Sequence, residues 1–493
     1  FGFLLLLKTS SDVILQKQLD WKKLSIKVLN YSGIAVAGYL LGLALWPYAL
    51  QNPIANPWKS YKVMTHFPTT VRQIFEGHFE WSDFLPWYYL PKYMAITIPI
   101  IIFIGKVLFL LNIRKNYNLK QKLQLGFVGF TILFPIAFVV LKHSNLYGSW
   151  RHFLFIYPAI VLLAGLGIHS LIRRYKKPVI RYSLVVVLFI LCLNPLKFMA
   201  ANHPFYFLYY NEFTGGLKGA YGKYETDYYY HSMRKGAEWL QEYLKNKKTN
   251  DTIVVGGNFP IQWYFRKDTE IRFEYFPWQR RSEYNWDYAV VANSYIPPYQ
   301  LTNNIWPPQN TIHTVLVDGI PVCAVVERIT KDDQKAIAAQ KTGDNIKSAL
   351  LFENAIKFDP QNETICYNFA EVLLANDNED QVNAILNKCL QINPGFEKAL
   401  ILQGDLAKKK NDTKAAAGFY ARALGANRKY YAAYTKLAEI YAESDVLKAR
   451  KILRNCLKLN SKYKPALEAL ADTYRKNDPA KAQQLDEMIM KIK

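Results

Sequence analysis

Cysteine is scarce, five residues in a chain of 493, and its placement excludes two kinds of protein. Cys192 sits in an apolar run, Cys323 in a strand-like stretch, and Cys366, Cys389 and Cys456 in helical stretches. An odd number of widely separated thiols gives no disulfide framework, and none has metal-ligand spacing, so they read as small buried hydrophobes. His203 and His231 also lack paired ligand spacing, and no metal is expected. Gly256-Gly257 lacks the further glycines of a nucleotide fingerprint and reads as a turn; no cofactor is expected. Acidic residues are the remaining shortage, 39 against 62 Lys and Arg, for a net charge of +23. In a soluble protein that balance suggests nucleic acid. Here much of the excess lies in short gaps between apolar runs, where topology and anionic headgroups account for it, so no nucleic-acid partner is expected.

Apolar sequence, in contrast, is plentiful at 51%. Five long runs, 31–50, 93–111, 125–141, 153–171 and 182–198, each approach the roughly 20 residues that cross ~30 Å of hydrocarbon. Basic residues crowd into alternate gaps: Lys8, Lys17, Lys22, Lys23 and Lys27; Arg114, Lys115, Lys120 and Lys122; Arg173, Arg174, Lys176, Lys177 and Arg181. Positive charge near span ends marks the cytoplasm, which turns the gaps 51–92 and 142–152 outward and, with an odd number of spans, places 203–493 outside. Residues 1–7 read as the tail of a further span, and with no initiator Met or signal peptide the chain reads as a fragment of a longer polytopic protein. Lys106, the one charge well inside a run, reads as snorkelling to the interface. A composition rich in Lys, Asn, Ile and Tyr leans bacterial, so the outer side is read as a periplasm. The glycan-type triplets at Asn250, Asn362 and Asn411 are discounted for the same reason.

Two soluble parts follow. From 201 to 331 an amphipathic helix over 232–244 precedes strands at 252–255, 270–275, 287–292, 313–317 and 320–326, a small α/β unit whose clearest turn is Asp318-Gly319. From 332 to 493 the chain repeats. Pro360, Pro394, Arg428 and Ser461 recur at about 34 residues, as do Ala355, Cys389, Ala423 and Cys456, and the small residues Ala370, Gly404, Ala438 and Ala471. That period, with small residues where paired helices cross, is the tetratricopeptide signature, over about 344–493. Stacked pairs form an α-solenoid whose face suits a peptide or partner helix. The fold class read from sequence is therefore a polytopic helical membrane bundle over 1–200, a periplasmic α/β domain over 201–331 and a C-terminal repeat solenoid over 332–493.

Chemistry concentrates in the outward gap before the fourth run, Ser144 to His152. Arg151 and His152 stand together at headgroup height behind Tyr147, Gly148 and Trp150. A guanidinium matches phosphate oxygens and His can add a donor; an interfacial aromatic and Arg anchor is the equal alternative. Glu76, His78, Glu80 and Asp83 in the first outward gap are candidates for lining a sugar or acceptor site. Asp227 reads as a helix-entry residue.

The segment 144–158 resembles the last-loop motif of membrane glycosyltransferases of the GT-C class, the family of protein O-mannosyltransferases and lipid A aminoarabinose transferases, particularly its family-39-like bacterial members. Asn52-Pro53, Phe75-Glu76-Gly77, the run Leu85 to Pro91, Thr97 and Pro99 resemble that group's large outer loop and next span. His203-Pro204, Tyr209-Tyr210-Asn211, Gly215-Gly216, Gly219-Ala220, Asp227-Tyr228 and Ser232 resemble its post-membrane segment. The resemblance covers about 52–240 and makes the first 200 residues the C-terminal part of a GT-C-like core. It implies a polyprenyl-phosphate-linked sugar as donor, its phosphate met by Arg151 with His152, Tyr147 and Trp150 as neighbours, and a catalytic acid in an outer loop upstream of Phe1. The resulting expectation is a sugar transferase at the outer face of the cytoplasmic membrane, with membrane lipid, lipid-linked sugar and a repeat-bound protein as partners. The alternative is a catalytically silent, membrane-anchored repeat scaffold for a periplasmic secretion, motility or envelope complex.

Overall fold

The computed structural model describes residues 21–65, 69–247, 252–376 and 378–492. The apolar tail expected at 1–7, Lys8, Lys17 and the Asn250-Asp251 pair lie outside the described residues. The chain divides into two contact units, 1–73 with 81–220 and 74–80 with 221–493.

The first unit is helical. Helix α1 spans Trp21–Ala44, α2 Tyr89–Thr97, α3 Ile100–Asn116, α4 Leu119–Leu141, α5 Tyr157–Arg174 and α6 Pro178–Ala201. Among the described residues four apolar stretches, at 24–44, 119–141, 151–174 and 178–201, are long enough to cross a bilayer, or five if the bent pair α2–α3 counts as one. Two expected spans are corrected by proline. The run 31–50 is broken, because Pro47 forces Trp46 into an extended conformation (φ −125°, ψ 92°) and a separate short helix, Pro47–Gln51, begins there. The run 93–111 is broken in the same way: Ile98, extended before Pro99, separates α2 from α3, which turns away by 110°. The carbonyls this break frees are taken by Asn211, whose Nδ2 donates to Ala95 O and Ile98 O at 2.7 Å each, while its backbone N–H donates to Ile96 O at 2.8 Å. Residues 201–220 consequently pack with the first unit, 20 residues beyond the boundary drawn at 200. Helix α4 opens with a capping box between Asn118 and Gln121. Helices α3 and α5 approach backbone to backbone: a Cβ on Gly167 would stand 2.0 Å from Gly105 O, and one on Gly105 2.6 Å from Ala164 O.

The second unit joins a sheet to a helical array. Strands β3 (Ile253–Gly257), β4 (Ile271–Tyr275), β5 (Tyr288–Ala292), β6 (Thr311–Val317) and β7 (Ile320–Glu327) pair in the order β4-β3-β5-β7-β6, the first three parallel and the rest antiparallel. Asp318-Gly319, both at positive φ (51° and 76°), turns β6 into β7. Helix α7 (His231–Lys245) lies on this sheet, with Gly236 close against Val290 and Cys323. The hairpin of β1 (Arg72–Phe75) and β2 (His78–Trp81), read from sequence as loop, lends Ile74 and Phe79 to the core around Phe276, Trp286 and Trp306.

Among the described residues the array is ten helices: α8 Asp332–Lys341, α9 Asn345–Phe358, α10 Glu363–Ala375, α11 Glu379–Ile392, α12 Glu397–Lys409, α13 Thr413–Ala426, α14 Tyr431–Ala442, α15 Val446–Leu459, α16 Lys464–Arg475 and α17 Pro479–Met490. Two ion pairs with buried guanidiniums tie sheet to array within one unit, Arg281 to half-buried Asp359 at 3.3 Å and Arg328 to buried Asp333 at 2.5 Å. The junction at 331/332 falls inside one compact unit, where each buried guanidinium takes its carboxylate from the array.

Candidate functional site

In the first unit, the loop before α5 is built around a buried amide. Gln73 donates from Nε2 to Leu146 O (2.9 Å) and accepts at Oε1 from Tyr89 OH (2.8 Å) and Gly148 N–H (3.2 Å). Gly148 and Ser149 both have positive φ, 65° and 63°, and this turn aims Trp150 inward. Trp150 is buried and donates from Nε1 to Thr97 Oγ1 at 2.7 Å, beside the break between α2 and α3. Arg151 starts a 3₁₀ turn, Arg151–Ile156, that leads into α5. Its guanidinium carbon lies 4.9 Å from the centre of the Tyr147 ring, against which His152 also packs edge-on at 5.1 Å. A Cβ on Gly148 would come within 2.9 Å of Arg151 Nε, so the glycine serves both the backbone turn and the guanidinium's seat.

Tyr147, Trp150, Arg151 and His152 are thus brought together, with unequal roles. Trp150 is a structural pin. Arg151, half-buried, is the cationic part, with exposed His152 beside it, and a guanidinium seated on a ring presents a fixed fork of donors suited to an anion. Gln73 and Asn211, which hold this loop and the helix break, escaped sequence reasoning as functional residues. Asn211 lies in the Tyr-Tyr-Asn stretch, but nothing local shows that its partners are more than 110 positions away.

The four candidate loop residues are divided between the two units. Glu76 and Gly77 are the two turn residues of the β1–β2 hairpin, at φ 52° and 82°, and Glu76 and His78 are exposed. Glu76, His78 and Glu80 belong to the second unit, whereas exposed Asp83 belongs to the first. Among the described residues no group of three His, Cys, Asp or Glu could hold a metal ion.

Asp227 caps α7. It is buried, with Oδ1 accepting from His231 N–H (3.0 Å) and Oδ2 from Ser232 N–H (3.2 Å) and the Ser232 hydroxyl. Burial raises its pKa to about 7, against the lowering effect of those bonds. A carboxyl whose folded pKa exceeds its unfolded value takes up a proton on folding, so its contribution, full at low pH, is lost as pH climbs toward about 7. Hydrogen exchange of α7, corrected for intrinsic chemistry, is therefore expected to quicken between pH 5.5 and 8, and this extra acceleration should vanish in Asp227→Asn.

In the array every hairpin crosses at a small buried residue on its first helix: Ala336, Ala370, Gly404, Ala438 and Ala471. Opposite, Phe352, Leu386, Tyr420 and Leu453 recur at the same period and are buried. Gly404 meets Tyr420 so closely that a Cβ would lie 2.3 Å from the ring. The second helices start at a repeating cap: Asp344, Asp412, Asp445 and Asp478 each accept a backbone N–H three residues on.

These helix hairpins make the C-terminal part a tetratricopeptide-like array. Among solved structures, the chain is similar to MamA from Desulfovibrio magneticus RS-1 (15% identity, 33% of this chain and 92% of that chain, TM-score 0.29). It is likewise similar to YrrB, described as a tetratricopeptide protein with an unusual peptide-binding site (15%, 34% and 87%, 0.28), and to PilF of Pseudomonas aeruginosa (14%, 32% and 74%, 0.30). No family matches the chain, and no curated protein matches it. None of these comparisons supports a glycosyltransferase core.

Proposed function

We propose that the protein is a membrane-anchored scaffold whose helical array engages protein partners, with its apolar helices in the bacterial cytoplasmic membrane and the α/β and array unit in the periplasm. The observation that carries this reading is, among the described residues, five helix hairpins of one repeated crossing in the same chain as four or five bilayer-length apolar helices. Large exposed side chains along α1 and α6, among them Leu29, Leu41, Val179 and Phe189, suit lipid contact, and basic residues in alternate gaps support the orientation. Stacked hairpins offer an extended face without needing an active site. Deleting 397–493, which keeps the Asp333 and Asp359 partners of the buried arginines, is expected to leave the chain in the membrane fraction and to abolish its larger assemblies on native gels in mild detergent. Assemblies of unchanged stoichiometry after the deletion would refute the reading.

A second reading is favoured by the loop at Tyr147 to His152, where one ring seats a guanidinium at the start of an apolar helix. In it, Arg151 holds the phosphate of a polyprenyl-linked sugar and the protein transfers that sugar outside the membrane. Arg151→Ala should then weaken binding of polyprenyl phosphate in nanodiscs about tenfold or more, the scale of a charge-assisted bidentate contact. Equal binding by wild type and variant would remove this reading and leave the scaffold untouched.

A further inference from the structure

The array's charge is concentrated on a single helix. Residues 332–493 hold 26 Lys and Arg against 21 Asp and Glu, an excess of five. Helix α15 alone carries Lys448, Arg450, Lys451, Arg454 and Lys458 and no acidic residue, so one helix matches the excess of the whole array. Positions 447, 450, 451, 454 and 458 share a face at helical spacing. With Tyr474 of α16 they line a groove of about 370 Å³, and among the described residues no Asp or Glu lines it.

Neutral groups hold the two guanidiniums in place. Arg450 donates from Nη2 to Thr473 O (2.5 Å) and from Nε to Thr473 Oγ1 (3.1 Å), with its guanidinium carbon 3.7 Å from the Tyr474 ring centre. Arg454 donates to Tyr474 OH at 2.5 Å. Carbonyl, hydroxyl and ring acceptors fix direction without cancelling charge, so the groove presents an ordered, uncompensated cationic wall. Leu447, 77% exposed, adds an apolar flank.

We infer that this groove binds an acidic peptide segment of a partner protein, its carboxylates paired to Arg450 and Arg454 and its carbon skeleton against Leu447 and Tyr474. The inference rests on the interaction-scaffold reading and names the chemistry of the partner. A groove of this volume, within the roughly 300–1,000 Å³ of small-ligand clefts, admits a few side chains. A flat sheet of headgroups or a nucleic-acid backbone would leave its apolar flank unused.

The test uses the full chain in detergent and a fluorescein-labelled hexaglutamate peptide, with hexaglutamine, phosphatidylglycerol vesicles and a poly-dT oligonucleotide as comparisons. Hexaglutamate should bind and hexaglutamine should not. The affinity should fall about tenfold or more in Arg450→Gln/Arg454→Gln, as expected when fixed charge pairs are removed. Because those arginines also brace Tyr474, a second variant, Lys451→Gln/Lys458→Gln, tests the charge of the groove alone and should lose about threefold to tenfold on the same grounds. Wild-type affinity in both variants overturns the inference, as does tighter groove-dependent binding of vesicles or oligonucleotide. If deletion of 397–493 abolishes assemblies while both variants still bind hexaglutamate normally, the groove falls and the scaffold stands. Hexaglutamate binding that depends on the groove, with assemblies that survive the deletion, removes the scaffold and keeps the groove.

Discussion

Replacing Gly404 with leucine is expected to destabilise the array by about 3 kcal/mol, the upper part of the usual range for forcing extra atoms into a packed core. The Cβ alone would stand 2.3 Å from the Tyr420 ring. That ring has no easy retreat, because its hydroxyl donates to Asp405 Oδ1 at 2.6 Å and Asp405 in turn pairs with Lys436 at 3.1 Å. Hydrogen exchange should show lost protection in α12 and α13 with the sheet unaffected. Tyr420→Ala, damaging by itself, should recover part of the loss when combined with Gly404→Leu, and the coupling in that double-mutant cycle measures the clash directly. The repeat offers its own internal control: Ala370 goes with Leu386 and Ala438 with Leu453, a larger first-helix residue facing a smaller second-helix one.

Gly167→Leu is expected to have an effect of similar or greater size in the first unit. At Gly404 the obstacle is a side chain, whereas at Gly167 it is backbone: a Cβ would lie 2.0 Å from Gly105 O and 2.5 Å from Phe109 N. Neither atom can move without parting α3 from α5. Even Gly167→Ala should therefore disrupt the pair, since overpacking against main chain has no rotamer to relax into. Cysteine pairs placed across the two helices should cross-link in the wild type and fail to do so in either variant. Normal cross-linking in Gly167→Leu would contradict the close approach.

The array was the most legible part of the chain, because its period is written by residues that cannot be large. Ala370, Gly404, Ala438 and Ala471 recur where helices cross, and the structure buries all of them. The first hairpin was partly missed: Ala336, 34 residues before Ala370, already holds the same place in α8. The caps from Asp344 to Asp478 were a second periodic signal, weaker in sequence because Asp is common and the cap shows only in the hydrogen bond. Asp318-Gly319 was legible for a local reason, since its two residues take the positive φ that the turn requires. Glu76-Gly77 makes the same kind of turn but is flanked by strands of only four residues, too short for alternation to show.

Hydropathy located the apolar helices and failed at their interruptions. Averaging over a window passes across Pro47 and Pro99, although each removes an N–H and bars its predecessor from helical geometry. At the loop before α5 the sequence pointed to Tyr147, Trp150, Arg151 and His152, which do cluster. It could not separate the pin from the guanidinium and imidazole beside it, since Trp150's partner Thr97 lies 53 positions away. In the stretch 76–83 the sequence offered four polar candidates in one loop, and the structure puts Glu76 and His78 at and just after a hairpin turn, exposed.

In a scaffold of this kind the array is the surface that touches partners. A photo-crosslinking amino acid placed in intact cells at exposed array positions Lys451 and Lys458, and for comparison at Arg272 and Glu242 near the sheet, tests it directly. Adducts with a distinct protein are expected at the array positions, lost when Gly404→Leu unfolds the neighbouring hairpin, and none at the sheet positions. Adducts confined to the sheet positions, or array adducts indifferent to Gly404→Leu, would contradict it.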